Sequence, residues 1–354
     1  MTLATTSRAP AGLSYGSAPW SASFVQWIAL QDNALQADLA AYWLDATARL
    51  MLPERSVYCH YLQNQQGEIL LLLPLAHHKG LLAPRFTLLT SFYASLGCFY
   101  GNTEPTLVQG LLQHIFSHWR CRSIELAPLA EDAADTGAVL GVTKAFNMVC
   151  FERFVNYYQP INSDFAGYIA KRPALLRQTL KRKQKKIAAL GGETRLYQTV
   201  AELQQQLAQF HQVYQRSWKQ PEYSSQFIDE VCVAAASRGD VRLGLLTLQQ
   251  QVIAAQIWFV RGGVASIFKL AYNAEFAHLS PGTVLTATMF QQVIDTDAVS
   301  CVDYGMGAEA YKADWMAGKR RRIGILLFNP GTISGWFSWC RHALPRLLPG
   351  RKTR

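Results

Sequence analysis

The apolar positions of this chain fall into two series with the same order. From about residue 56 to 126, short blocks with strand-like spacing, "VYCHYLQN", "EILLLLPLA" and "FTLLTSFYASL", precede a stretch of helical period, "TLVQGLLQHIFSHW", and a further strand, "SIELAPL". Between about 241 and 304 the order returns. "VRLGLLTL", "VIAAQIWFV" and "VASIFKLAYN" are strands joined by "QQQ" and "RGG", which suit hairpins. The helix "GTVLTATMFQQVID" and the strand "SCVDYG" follow. Two runs of β-β-β-α-β predict a duplicated α/β fold. The stretch between them is predicted to be helical, with Pro173 in its first turn and Gly191-Gly192 as its stop. Leu176, Leu180, Ile187 and Leu190 form one stripe, interrupted by Lys183, and Arg177, Lys181 and Lys185 sit four apart on another face.

At 354 residues there is room for two domains. The pattern divides the chain into a mobile tail at 1–20, an N-terminal copy at 21–150, a C-terminal copy at 151–330 that includes the basic helix 173–190, and a basic, aromatic tail at 331–354. Half the residues are hydrophobic and 16% charged, a globular composition without a disorder signature. The run "ILLLLPLA" at 69–76 contains Pro74 and has the length of a buried strand, well short of a membrane helix. The N-terminus lacks the apolar core of a signal peptide, so the expected location is the cytoplasm. Seven cysteines are scattered singly, which argues against a disulfide framework or a zinc site. His114 and His118 are one helical turn apart, but without H-E-x-x-H or an obvious third ligand they read as ordinary helix histidines, and no metal is expected.

The net charge is +10, and its placement matters more than its size. Residues 171–186 carry eight bases and no acid, and "GKRRR" at 318–322 and the C-terminal tail supply most of the remaining excess. Such patches attract nucleic acid, anionic lipid or phosphate-bearing cofactors. The helix at 171–190 is either a solvated face or an anion-binding wall.

Three stretches resemble the GNAT superfamily, and more narrowly the CelD-like acetyltransferases of cellulose and exopolysaccharide biosynthesis, relatives of the FemAB aminoacyl-transferases. They are "FAGYIAKRPALLRQTLKRKQKKIAALGG", "KLAYNAEFAHLSPGTVL" and "CVDYGMGAEAYKADW", covering about 150 to 316. Residues 20 to 150 are similar in element order only. The resemblance implies an α/β (α+β) fold of tandem GNAT-like domains, each a mixed, mainly antiparallel sheet flanked by helices. It also implies acyl-CoA as a co-substrate with no tightly bound cofactor, its pyrophosphate held at the helix start after "LSPG". There Ser280 would cap the helix, Pro281 would fit its first turn, and Gly282 and Thr283 would offer free N–H groups.

Lys269 sits mid-strand, on the side of Ala265, Ile267 and Ala271 by strict alternation. Its ammonium must meet solvent or a carboxylate, and either Asp303 or the donor's phosphates would serve. Asp303 shares a strand face with Val299 and Cys301 at a carboxyl end, where α/β sheets place ligands. Acyl transfer from a thioester needs a base, a donor for the carbonyl oxygen and an acid for the thiolate. Asp303 or Glu309 is the candidate base. Tyr304 or Tyr311 would protonate sulfur or orient the acceptor. Lys312 would neutralise phosphate or hold Glu309, and Trp315 would pack. Tyr168, Arg177, Lys181 and Trp218 complete the candidates as substrate- and anion-binding groups. The N-terminal copy has no matching polar block near 124–130 and is expected to be structural, helping to wall the acceptor cleft.

The leading expectation is an acyltransferase acting from acyl-CoA, acetyl-CoA foremost, on an amine or hydroxyl of a sugar or envelope precursor. An aminoacyl-tRNA donor is the alternative, with the basic helix on RNA phosphates. A third reading is a non-catalytic accessory protein at the membrane face of a polysaccharide synthase, anchored by Trp336, Phe337 and Trp339 ahead of the C-terminal bases.

Overall fold

In a computed structural model of the protein, the described residues are 10–80, 83–142, 145–307 and 309–347. Parts of both expected tails, residues 1–9 and 348–354, lie outside them. In chain order the elements are β1 (Leu13–Pro19), α1 (Ala22–Gln31), α2 (Ala41–Ala46), β2 (Ser56–Asn64), β3 (Ile69–His78), β4 (Arg85–Leu88), β5 (Tyr100–Gly101), α3 (Pro105–Trp119), β6 (Ser123–Ala130), α4 (Ala134–Gly141) and β7 (Asn147–Pro160). Then come α5 (Phe165–Ala170), α6 (Ala174–Ala189), β8 (Glu193–Tyr197), α7 (Val200–Gln215), α8 (Ser225–Ala236), β9 (Val241–Leu248), β10 (Gln251–Arg261), β11 (Val264–Tyr272), α9 (Pro281–Gln291), β12 (Cys301–Asp303), α10 (Lys312–Trp315), β13 (Gly318–Phe328) and α11 (Ile333–Leu347).

The chain forms two compact units. The first comprises Met1–Gln31, Thr47–Phe154 and Arg321–Arg354. Its strands run in the order β1-β2-β3-β4-β6-β13, with β5 beside β3. Every pair is antiparallel except β4 and β6, which run parallel over Arg85–Thr87 and Ser123–Glu125. Leu107, Leu111 and Ile115 of α3 bury one helix face against Leu73, Leu75 and Phe86 of the sheet. Leu126 and Leu129 of β6 lie in this core.

The second unit comprises Asp32–Ala46 and Val155–Arg320. Its strand order, β8-β9-β10-β11-β12-β7, repeats that of the first, and again only the fourth and fifth strands, β11 and β12, are parallel. The helices α6 and α9 bury Leu176, Leu180, Ile187, Val284 and Leu285 in the core of one sheet face.

These units differ from the contiguous division expected at 150 and 330, for reasons visible in the packing. The first unit's sixth strand, β13, comes from beyond the second unit's sequence, whereas the second unit's, β7, precedes the rest of its sheet. In β13, Ile323, Ile325 and Leu327 alternate into the first unit's core, whereas Tyr157 of β7 enters the second unit's core. The segment 32–46 joins the second unit through Trp43, whose ring lies edge-on to Phe227, Phe259 and Phe268 at 5.2–5.5 Å between centroids. Asp32, wholly buried, accepts hydrogen bonds from Arg261 and from the Ala41 N–H (2.8 Å).

Two local expectations also change. Residues 13–19, expected to be part of a mobile tail, pair with β2 in full register because Leu13 and Tyr15 pack on the core. The tail at 331–354 contains the helix α11. His114 and His118 stack at 5.4 Å, and His114 stacks on Tyr15. No group of three or more His, Cys, Asp or Glu among the described residues is arranged to hold a metal ion.

Candidate active site

The site is built around a gap in the second unit's sheet. Strands β11 and β12 pair only at Val264–Cys301, Ala265–Val302 and Ser266–Asp303. Beyond that point β12 turns away, and β11 continues to Tyr272 with no β12 partner among the described pairings. The register of β11 against β10 also slips here. Trp258 pairs with Ile267 and Ile257 with Lys269, which leaves Phe268 as an extra residue. A one-residue insertion reverses the side-chain alternation. Lys269 and Ala271 therefore face away from Ala265 and Ile267, not with them as strict alternation predicts. Lys269 pairs with Glu222 (Nζ–Oε2 2.6 Å), and not with Asp303. Burial lowers the proton affinity of this lysine, and the Glu222 carboxylate partly restores it.

The helix start after "LSPG" stays open. Ser280 occupies the N-cap position in a left-handed conformation (φ 52°), but its side chain makes no cap hydrogen bond, contrary to the expected role. Pro281 has no N–H to satisfy. The Gly282 and Thr283 N–H groups meet no acceptor among the described residues. Gln256, buried mid-strand, fixes this turn by donating to the Gly282 carbonyl (3.1 Å) and to Thr286 Oγ1 (2.8 Å), while accepting from Trp258 Nε1 (2.9 Å). A side chain at 282 would stand only 3.1 Å from the Tyr272 ring, so glycine lets the helix start rest on the end of β11.

The closing block folds back on itself. Asp303, 1% exposed, accepts from Asn156 Nδ2 (2.6 Å), the Gly305 N–H (2.7 Å) and Arg320 (2.6 Å). A carboxylate so engaged suits a structural clamp better than proton abstraction. Lys312 is buried as well; its Nζ donates to the Met306 and Gly307 carbonyls and pairs with Glu309 at 2.9 Å, so it tethers the 304–309 turn rather than facing a phosphate. Gly305 and Gly307 take positive φ (63° and 103°), which this turn requires. Burial would raise the Glu309 carboxyl, but the Lys312 hydrogen bond and charge outweigh it and hold the group below its ordinary range. The Tyr304 phenol is buried and hydrogen-bonded to Tyr311, which drives its proton affinity well up. Burial, then the Glu309 charge, push Tyr311 up to about 12, so this partly exposed phenol keeps its proton at neutral pH.

Of the anion-binding candidates, Tyr168 is buried. Its hydroxyl donates to the Trp315 carbonyl (2.7 Å) and its ring stacks on Phe290, which in turn stacks on Trp315, so Tyr168 pins α5 to α10. Arg177, Lys181 and Lys185 are exposed along α6, as the sequence pattern predicts. Lys183, which interrupts the apolar stripe, donates to the His278 carbonyl two residues before Ser280. Leu190 ends the helix partly exposed instead of joining the stripe, because the chain turns left-handed at Gly191.

A residue not anticipated from the sequence completes the site. The loop 216–224 is held to the end of β11 by a hydrogen bond from the Ala274 N–H to the Arg216 carbonyl (3.2 Å). It also lays Trp218 on Tyr272, 4.4 Å between ring centroids. Next to Trp218, Lys219 Nζ lies 5.9 and 5.7 Å from the Trp218 and Tyr214 ring centres and has no hydrogen-bonding or ion-pair partner among the described residues. Burial, reinforced by the Lys269 charge, lowers this ammonium to about 8, and the carboxylates of Glu222 and Glu309 oppose the drop. Lys219 thus feels both β11 and the closing block. In the sequence the only hint is a lysine in an aromatic, proline-containing loop, "SWKQPEY".

Residues 174–313, within the second unit, match the family described as an acetyltransferase (GNAT) domain. No curated protein matches the sequence. Among solved structures, FemX is similar with a TM-score of 0.62 at 11% identity, covering 94% of this chain and 99% of that one. L-PGS from Bacillus licheniformis is similar at 0.56 and 11%, covering 94% and 98%. A tandem GNAT protein from the clavulanic acid biosynthesis pathway is similar at 0.51 and 11%, covering 90% and 100%. At these identities the likeness shows the fold alone, and the fold is the duplicated α/β architecture that the repeated element order predicts.

Proposed function

We propose that the protein is a CelD-like acyltransferase, moving an acyl group from acyl-CoA, acetyl-CoA foremost, to an amine or hydroxyl of a sugar or envelope polysaccharide precursor in the cytoplasm. The observation that carries this reading is the gap where β12 leaves β11 beside the uncapped start of α9. The edge of β11 beyond its pairing with β12 would offer backbone donors and acceptors to an extended amide-bearing arm. The Gly282 and Thr283 N–H groups, at the positive end of the helix dipole, would receive its phosphates. Six residues of strand separate Ser266, the partner of Asp303, from Tyr272 under Gly282, roughly 20 Å at the usual rise. A donor lying along that edge spans the distance from phosphate site to closing block.

In this reading neutral Lys219 takes the proton of the acceptor as its nitrogen or oxygen attacks the thioester carbonyl. The carbon–sulfur bond breaks, and the leaving thiolate receives its proton from the Tyr311 phenol, oriented by Tyr304. Glu309 tunes this phenol, Lys269 and Trp218 line the approach, and Asp303 with Lys312 positions the turn. Calorimetric titration with acetyl-CoA, propionyl-CoA and longer acyl-CoAs tests the donor. Saturable heat is expected, and no heat with any of them at high concentration would sink the proposal.

The exposed row Arg177, Lys181 and Lys185, with Arg182 and Lys186 also exposed, favours one second reading, an aminoacyl-tRNA donor as FemAB-like transferases use. Each phosphate contact releases counterions, so log affinity for tRNA should fall against log salt with a slope of about −0.7 to −0.9 per contact. A shallow slope together with acyl-CoA heat removes this reading.

A further inference from the structure

The helix α11 turns its apolar face outward. Its residues advance by about 100° each, which places Ile333, Trp336, Phe337 and Cys340 on one stripe and Gly335, Ser338 and His342 on the other side. The second side is the one that packs. Gly335 is buried against the Asn329 carbonyl, and the His342 ring lies 5.3 Å from Phe328 while its Nδ1 contacts the Ser338 carbonyl. The apolar side is bare, with Ile333 91%, Phe337 70% and Trp336 57% exposed. This inverts the usual arrangement of a surface helix.

Charge identifies what covers the stripe. Residues 329–354 contain Arg341, Arg346, Arg351, Lys352 and Arg354 and no acidic residue. A second copy of this chain would bring the same positive charge to the contact, whereas an anionic lipid surface opposes it. Tryptophan and phenylalanine flanked by arginine suit the boundary between headgroups and acyl chains. No helix among the described residues is long and apolar enough to cross a membrane, so α11 would lie in the plane of the surface.

We propose that α11 is an interfacial docking helix for an anionic bilayer, with Ile333, Trp336 and Phe337 entering the acyl boundary and Arg341 meeting lipid phosphates. The test is flotation of the full chain with phosphatidylcholine vesicles, with and without phosphatidylglycerol, at low and high salt. The protein should float only with the anionic vesicles, less so at high salt. The triple variant Ile333→Ser, Trp336→Ser, Phe337→Ser should partition at least roughly tenfold less while keeping its acyl-CoA heat, because all three side chains are exposed and none belongs to the candidate site. Flotation equal for variant and wild type, or independent of lipid charge, would overturn the proposal. So would a concentration-dependent dimer that the triple variant abolishes without any vesicle binding. Circular dichroism of the variant separates loss of docking from loss of folding.

Discussion

Replacing Lys219 by methionine is expected to lower kcat for acyl transfer by roughly 10²–10⁴-fold, the usual contribution of a positioned base, and to change KM for acyl-CoA little. The pH profile carries the sharper expectation. The wild-type rate should rise with an inflection near the depressed value of about 8, because only the neutral amine accepts a proton. Lys219→Met should lose that limb, and Lys219→Arg should fail equally, since a guanidinium stays charged. Stability should move the other way. The folded state releases this proton more readily than the unfolded chain, so Lys219 weakens folding below about pH 8, and the penalty fades as pH rises toward the ordinary lysine value. Lys219→Met should therefore be as stable as wild type or more so near neutrality. A variant with a full rate and an unchanged profile would remove Lys219 from the chemistry and leave the binding reading intact.

The largest effect on stability is expected from Arg261→Met in the second unit. Arg261 pairs with Asp32 and with Asp240 (2.6 Å), and all three side chains are nearly or wholly buried. Removing the cation strands two carboxylates away from water, which costs about 3–5 kcal/mol when a buried pair is broken this way. Arg238, also beside Asp32 and Asp240 at 3.4 and 3.8 Å but more exposed, offsets only part of that loss. Hydrogen exchange should show the amides of β9 and β10 losing protection together with those of residues 32–46, because Asp32 and Trp43 attach that segment to this core. If 32–46 instead exchanged with β1 and β2, the assignment of this segment to the second unit would fall. Replacing Arg261, Asp32 and Asp240 together by apolar residues of similar volume should recover much of the stability, since no charge is then left unpaired.

How legible the molecule is in its sequence differs by feature. The repeated β-β-β-α-β order is legible because each strand is a short apolar block set off by turn residues, and each long helix has an apolar stripe. The sixth strands are not, because a strand that pairs with a partner far along the chain carries no local sign of that partner. The uncapped helix start at Gly282 and the clamped turn at 303–312 lie within motifs visible as residue strings. The roles of Asp303, Tyr168 and Lys312 within them were not visible. Asn156 and Arg320, which donate to Asp303, lie 147 and 17 residues from it.

Taken alone, the sequence determined the elements, their duplication and the excess of positive charge, because these depend on neighbours along the chain. Only the tertiary structure decided which ions neutralise each other, on which side of β11 Lys269 emerges, and that the Lys219 ammonium lies against aromatic rings with no carboxylate partner among the described residues. Proton affinity and side-chain direction depend on burial and on a single register slip, and both arise from contacts between residues remote in sequence.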